Sequence, residues 1–180
     1  MEVSDLIRHH CTNVKINEEF APYAVGGAAE AFAAGVLAHA GYDVSVQYGA
    51  NRPGYDIVAL KQRRTLRVSV KGSNVGGWGF SQNLKKGRTF SAAADEWLRR
   101  NSDRELVFML LHFENTALGE CPNIYVARPK EIFRELKKAK GGHGASYITV
   151  IHTYKRVMAK GITDKIPDTW KFSLDRIDSV

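Results

Sequence analysis

The chain lacks most of the features that sort a sequence into a class at once. It has two cysteines in 180 residues. Cys11 and Cys121 lie far apart and in no metal-ligand spacing, so neither a disulfide framework nor a cysteine metal site is expected, and both read as reduced thiols of a cytosolic protein. No apolar run approaches the ~18 residues that a membrane span requires. The opening residues, MEVSDLIRHH, show no basic region followed by an apolar stretch, so no secretory leader is expected. A cytoplasmic protein with no membrane partner follows as the expectation. Internal repeats, low-complexity tracts and long linkers are missing too. The glycine-rich stretch GSNVGGWGF lacks the Gly-Lys-Ser/Thr ending of a phosphate-cradling loop. His9, His10 and Cys11 are consecutive, whereas helix-borne metal ligands need i, i+3 or i+4 spacing, so the trio reads as incidental.

Acid is the scarcer charge. The chain carries 26 Lys and Arg against 19 Asp and Glu, a net charge of +7 and a pI near 9.5. A basic surplus of this size points to an anionic partner, nucleic acid first. A soluble surface that happens to be lysine-rich is the other reading. The 44% apolar and 25% charged fractions are those of an ordinary folded protein, and the length suits one domain with a real core.

The most informative stretch is YDIVALKQRRTLRVSVK, residues 55–71. Ile57, Val58, Ala59 and Leu60 form an unbroken apolar run, expected for a strand buried on both faces. From Leu66 the pattern alternates: Leu66, Val68 and Val70 on one face, Arg67, Ser69 and Lys71 on the other. A turn over Lys61–Arg64 sets Leu60 opposite Thr65, Val58 opposite Arg67 and Asp56 opposite Ser69. Directly opposed residues share a face, so Asp56, Ser69 and Lys71 are expected on one patch of sheet. A one-residue slip would flip one strand and separate them.

The rest is read around this hairpin. A few spaced apolar residues suggest a short helix or arm over 1–20. Residues 24–40, AVGGAAEAFAAGVLAHA, predict an alanine-rich helix that starts late because of Gly26 and Gly27, is apolar nearly all round, and ends at Gly41. Glu30 is its only acid. A carboxylate among small apolar neighbours needs a partner or a cation; reaching solvent, or pairing with an arginine, is the alternative. Tyr42–Tyr48 reads as a first strand and 49–54 as a loop. Trp78 and Phe80, after the hairpin, form either an aromatic lip beside the sheet patch or a core anchor. Ser91 is the expected N-cap of the helix AAADEWLRR, with Ala94, Trp97 and Leu98 inward. Residues 105–113 predict a central strand and 123–127 another; His112 is expected as a core or strand-end histidine. A helix opens at Pro129 with Ile132, Phe133 and Leu136 inward, and 147–154 predict a late strand.

Glu30 on the first helix, Asp56 on the second strand and Ser69-Val70-Lys71 on the third, within the order helix, three strands, helix, strand, resemble the PD-(D/E)XK nuclease superfamily. The resemblance spans about residues 24–128, with 129–180 as a helix-and-strand extension of the same domain. It implies an α/β fold, a central mixed sheet flanked by helices in the restriction-endonuclease-like αβββαβ order. It also implies a Mg²⁺- or Mn²⁺-dependent endonuclease acting on nucleic acid, DNA ahead of RNA. Glu30, Asp56 and the Val70 backbone carbonyl would hold the ion, and Ser69 and Lys71 would act beside them. Members of this group are often dimers, so a homodimer is one expected assembly. Ser69 departs from the pattern, standing where the family has an acid; Glu30 is the candidate substitute, with Asp95 and Glu96 behind it. Arg52, Trp78, Lys85, Lys86 and Arg88 are the candidate nucleic-acid contacts.

The residue types suit this chemistry. Mg²⁺ takes oxygen ligands and keeps several waters, so one or two carboxylates plus a substrate phosphate suffice. A lysine can orient the attacking water or stabilise charge in the transition state. Because Ser69 is neutral, a non-cutting module of the same fold that binds nucleic acid or a protein is the competing reading. A small α/β protein whose basic surface contacts acidic proteins is a third.

Overall fold

The computed structural model describes residues 22–47, 54–114, 116, 120–156 and 159–180. The expectations for residues 1–20 and for Arg52 lie outside these.

Helix α1 (Pro22–His39) opens the described chain. It does not start late: proline suits a first helical turn, and packing overrides the low propensity of Gly26 and Gly27. Nor is it buried all round. Val25, Ala29, Ala33 and Leu37 form a buried i, i+4 ridge, whereas Gly27, Ala31, Gly35 and Ala38 are exposed. The exposed positions are Gly and Ala, which carry no polar signal, so the sequence pattern hid the free face. Gly41 closes the helix at φ +84°, with the Gly41 and Tyr42 amides donating to the Ala38 and Leu37 carbonyls.

Strands β1 (Asp43–Val46) and β2 (Ile57–Lys61) pair antiparallel, and β2 pairs antiparallel with β3 (Arg64–Ser73). The register is the expected one: Leu60 opposes Thr65 and Val58 opposes Arg67. Lys61 and Arg64 themselves pair, leaving Gln62 and Arg63 as the turn, with Gln62 at φ +57°. Strand β3 then runs parallel to β5 (Leu106–His112), which pairs antiparallel with β6 (Asn123–Ala127). The sheet order is β1-β2-β3-β5-β6. Between β3 and β5 lies helix α2 (Phe90–Arg100); helix α3 (Pro129–Lys138) follows β6. This is the expected order: a helix, three strands, a helix and a strand in a mixed sheet.

Helices cover the two faces of the sheet unequally. Val107, Met109 and Leu111 of β5, with Ile57, Ala59, Leu66 and Val68, pack on α1. Leu106, Phe108 and Leu110 point the other way, onto Trp97 of α2 and Ile132 and Leu136 of α3. Burial on both faces is thus true of β5, as expected, but not of β2. Val58 is half-buried and Leu60 is 43% exposed. The α2–α3 layer stops short of β2 and β3, and the sheet face it leaves open carries Arg67, Ser69 and Lys71.

Two other expectations are corrected. The N-cap of α2 is Thr89, whose Oγ1 accepts from the Ala92 amide at 3.1 Å; Ser91 instead accepts a bond from Lys137 Nζ. The late strand is two: β7 (Tyr147–Thr149) pairs with a strand in the glycine-rich stretch, β4 (Gly77–Gly79), while β8 (Ile151–Thr153) pairs with β9 (Thr163–Lys165). The short closing helix α4 (Leu174–Ser179) buries Ile177 against the α1 side of the core. Its Asp178 carboxylate accepts from Tyr42 Oη at 2.8 Å and Lys61 Nζ at 3.1 Å.

Candidate active site

Asp56 sits one residue before β2 and is held from both sides. Its carbonyl accepts from the Gln47 amide and its amide donates to the Val68 carbonyl, each at 2.8 Å. Its Oδ2 accepts from the Val70 amide at 2.6 Å. Sheet hydrogen bonds and one side-chain bond therefore fix the carboxylate, as a site built on rigid elements requires. Asp56 shares a pocket of about 210 Å³ with Ser69 and Lys71; Tyr55, Phe80, Trp97, Asn101 and Phe108 line it too. The structure brings the hydroxyl, the ammonium and this carboxylate together where the open sheet face meets the edge of the helix layer.

Burial lowers the Lys71 pKa, and the Asp56 carboxylate only partly offsets this. The ammonium lies 5.7 Å from the centre of the Phe80 ring. Asp56 and Lys71 attract each other but form no direct ion pair, so this is not a simple cross-strand salt bridge.

Glu30 approaches from the α1 side and does not line the pocket. It is half-buried, and its pKa is raised, first by that burial and then by the Asp56 carboxylate. No cation figures among these influences. A carboxylate whose charge is destabilised by burial and by a neighbouring carboxylate is what a hard divalent ion would relieve. In type, the residues fit such an ion: Glu30, Asp56 through Oδ1, and a backbone carbonyl such as that of Val70. No group of three or more His, Cys, Asp or Glu that could hold a metal occurs among the described residues. Water and substrate phosphate would have to complete the ligand set.

The other acids considered are engaged elsewhere. Asp95 pairs with Lys137 at 2.8 Å, and Glu96 holds Arg99 and Arg100 at 2.8 and 2.7 Å. Nothing acidic replaces Ser69 from α2.

The aromatic pair of the glycine-rich stretch splits. Phe80 lines the pocket. Trp78 is a core residue, 2% exposed, edge-on to His112 and Tyr125, so it is not available to nucleic acid. Strand pairing of β4 with β7 turns its indole inward. Lys85, Lys86 and Arg88 are exposed on the connection into α2 and do not line the pocket. His112 is buried at the end of β5, with Nε2 3.1 Å from a Glu114 oxygen.

Sequence reasoning missed Asn101 and Phe108 as pocket walls, and also Gly72. A Cβ built on Gly72 would stand 2.6 Å from the Val25 carbonyl oxygen and 3.0 Å from Ala29 Cβ. The missing side chain lets α1 press onto β3, which carries Glu30 towards Asp56. A glycine directly after Lys71 was the available signal.

Neither a protein-family model nor a curated protein sequence matches the chain. Solved structures do resemble it. Hjc of Archaeoglobus fulgidus, described as a Holliday junction resolvase from an archaeal hyperthermophile, is 19% identical, with a TM-score of 0.37 over 58% of this chain and 73% of that one. The bacterial homing endonuclease I-Ssp6803I is 16% identical, with a TM-score of 0.42 over 84% of this chain and 86% of that one. The chemistry has to come from the pocket.

Proposed function

We propose that this protein is a metal-dependent nuclease that hydrolyses phosphodiester bonds, in DNA ahead of RNA. The observation that carries this reading is the meeting of Asp56, Ser69 and Lys71 in one pocket on an open sheet face, with Glu30 close enough for its carboxyl to be destabilised by Asp56. A basic chain suits the substrate. Glu30, Asp56 and the Val70 carbonyl would hold Mg²⁺ or Mn²⁺. When bound, the ion supplies acidified water and charge stabilisation at the phosphate. Lys71, protonated, hydrogen-bonds the attacking water or the phosphate oxygens as negative charge grows there. The Ser69 hydroxyl orients water, and the ring of Phe80 keeps bulk solvent off the ammonium. A cytoplasmic location belongs to the same reading; no helix among the described residues is long and apolar enough to cross a membrane.

The test is cleavage of single-stranded, duplex and branched DNA by purified protein with Mg²⁺ or Mn²⁺. Cleavage that Asp56→Asn and Lys71→Ala abolish, with circular dichroism unchanged, supports the proposal. Inactive wild type on every substrate overturns it.

One observation favours a second reading, a non-cutting nucleic-acid or protein-binding module of the same fold. Ser69 is neutral, and neither Asp95 nor Glu96 compensates. Titration calorimetry separates the two readings: the nuclease binds Mn²⁺ and loses that binding in Glu30→Gln and Asp56→Asn, whereas the module binds none.

A further inference from the structure

A second concavity, larger than the candidate active site and apart from it, lies between the start of α2 and the C-terminal extension. It encloses about 1210 Å³. Phe90, Tyr147 and His152 supply rings to its walls, with Tyr154 behind His152 at 4.5 Å between ring centres. Lys85, Lys140, Lys155 and Arg156 supply charge, and no Asp or Glu lines it among the described residues. Asp164 does not line the groove; it accepts from the Lys140 backbone amide, bonds the Tyr154 side chain and offsets part of the charge crowding at Lys140. The cations are crowded. Lys85 lies 3.6 Å and Lys140 4.5 Å from the centre of the same Phe90 ring. Burial and the like charges of Lys85 and Arg156 lower the Lys140 pKa, and Asp164 only partly offsets this.

We propose that this groove binds single-stranded nucleic acid, its bases stacking on Phe90, Tyr147 and His152 and its phosphates meeting Lys140, Lys155 and Arg156. Rings interleaved with cations in a concave wall that no acid lines are the chemistry that recognises an unpaired strand. A duplex keeps its bases stacked on one another and offers only phosphates to such a groove. A strand entering it would relieve the repulsion among the lysines and free the ring faces that they now cover. The groove and the candidate active site share helix α2. Phe90 and Trp97, seven residues apart on α2, line the groove and the pocket respectively, so the two are offset by roughly 10 Å along the helix axis. That is about three base steps at 3.4 Å each. The binding site stands on its own residues, whether or not the pocket cuts.

The test is fluorescence anisotropy with the full chain in EDTA, so that neither cleavage nor ion binding contributes. The probes are labelled oligothymidylate, the matching oligouridylate and a duplex of equal length. Tighter binding of the single strands than of the duplex is expected. The exposed pair Lys155→Glu with Arg156→Glu should weaken single-strand binding about ten-fold or more and reduce the salt slope by roughly 1.4, the value for two lost phosphate contacts. Phe90→Ala should weaken the single strands about five-fold or more while leaving duplex affinity unchanged. Circular dichroism confirms that each variant is folded. Single-strand affinity that the charge reversals leave unchanged overturns the proposal, as does a duplex bound as tightly as the single strands. Equal loss for DNA and RNA assigns the groove to either sugar; loss for one alone names its ligand.

Discussion

The Val70 amide donates to Asp56 Oδ2 at 2.6 Å, across the register that also brings Ser69 and Lys71 into the Asp56 pocket. One carboxylate oxygen thus serves the sheet and leaves the other for chemistry. Asparagine preserves the first role and removes the second. Asp56→Asn should therefore keep its stability and lose cleavage by about 10²-fold or more. Asp56→Ala should lose both, because the Val70 amide is left unpaired at a cost of about 1–3 kcal/mol. Urea denaturation of the two variants beside a cleavage assay checks this. Equal destabilisation by both would show that the carboxylate charge itself holds the sheet.

Gly72 sets how closely α1 approaches β3. The atoms that a Cβ would meet are the Val25 carbonyl oxygen at 2.6 Å, Val25 Cγ1 at 2.9 Å and Ala29 Cβ at 3.0 Å. Backbone oxygen cannot rotate away, so the helix must move. Gly72→Ala should cost about 1–3 kcal/mol by overpacking. It should also weaken Mn²⁺ binding, since Glu30 follows Ala29 on the displaced helix. Stability comes from denaturant melts and binding from calorimetry. A variant that melts like wild type would mean that α1 can slide without penalty.

Trp78 is core, and its substitution should read as a core defect. Its indole Nε1 is buried with no hydrogen-bond partner, so Trp78→Phe gives up packing but no polar contact. Trp78→Ala should cost about 3–5 kcal/mol, and Trp78→Phe clearly less. Oligonucleotide affinity, measured on folded protein, should not change with Trp78→Phe.

The hairpin was legible in the sequence because its signal is local. Alternation from Leu66 and a short turn over 61–64 determine which side chains share a face, and Leu60 opposite Thr65 follows. The uncovered face was not legible. Val58 and Leu60 are apolar whether a helix covers them or not, and coverage depends on where α2 and α3 end over the sheet. The exposed strip of α1 was hidden for the same reason, being made of glycine and alanine. Trp78 turned inward because of a pairing with β7, some seventy residues on, that nothing in GSNVGGWGF announces. The C-terminal groove was invisible for a stronger reason: Phe90, Lys140 and Arg156 become neighbours only through the tertiary fold.

Lys71 should set the alkaline limit of activity. Burial disfavours its ammonium, so its folded pKa lies below the ordinary lysine value. The proton is therefore lost at a lower pH in the folded protein than in the unfolded chain. Two outcomes follow. If protonated Lys71 is required, kcat/KM should fall on the alkaline side below the usual lysine range. Stability should also rise as pH passes through the folded pKa, because the folded state holds the neutral amine more readily. Lys71→Met should accordingly be more stable than wild type at neutral pH, by a margin that narrows in alkali, while being inactive. A pH–rate profile with thermal melts over the same range checks both.

Glu30 makes the opposite titration argument and the sharpest test of the ion site. Its folded pKa is raised by burial and by Asp56, so the folded protein holds that proton more tightly than the unfolded chain does. The stability this contributes is full below the ordinary glutamate range and is lost as pH rises through the raised folded value. At neutral pH without metal the ionised carboxylate is therefore a burden, and Glu30→Gln should raise the melting temperature by about 1–3 °C. That gain should vanish in acid. Added Mn²⁺ should reverse the order: an ion that binds only the folded state stabilises wild type in proportion to its occupancy, and glutamine offers it no charge. Differential scanning fluorimetry in EDTA and in Mn²⁺, at neutral and acid pH, reads all four conditions. If Glu30→Gln melts lower than wild type in EDTA at neutral pH, the carboxylate has a structural partner, and the pairing of Glu30 with Asp56 around a cation fails with it.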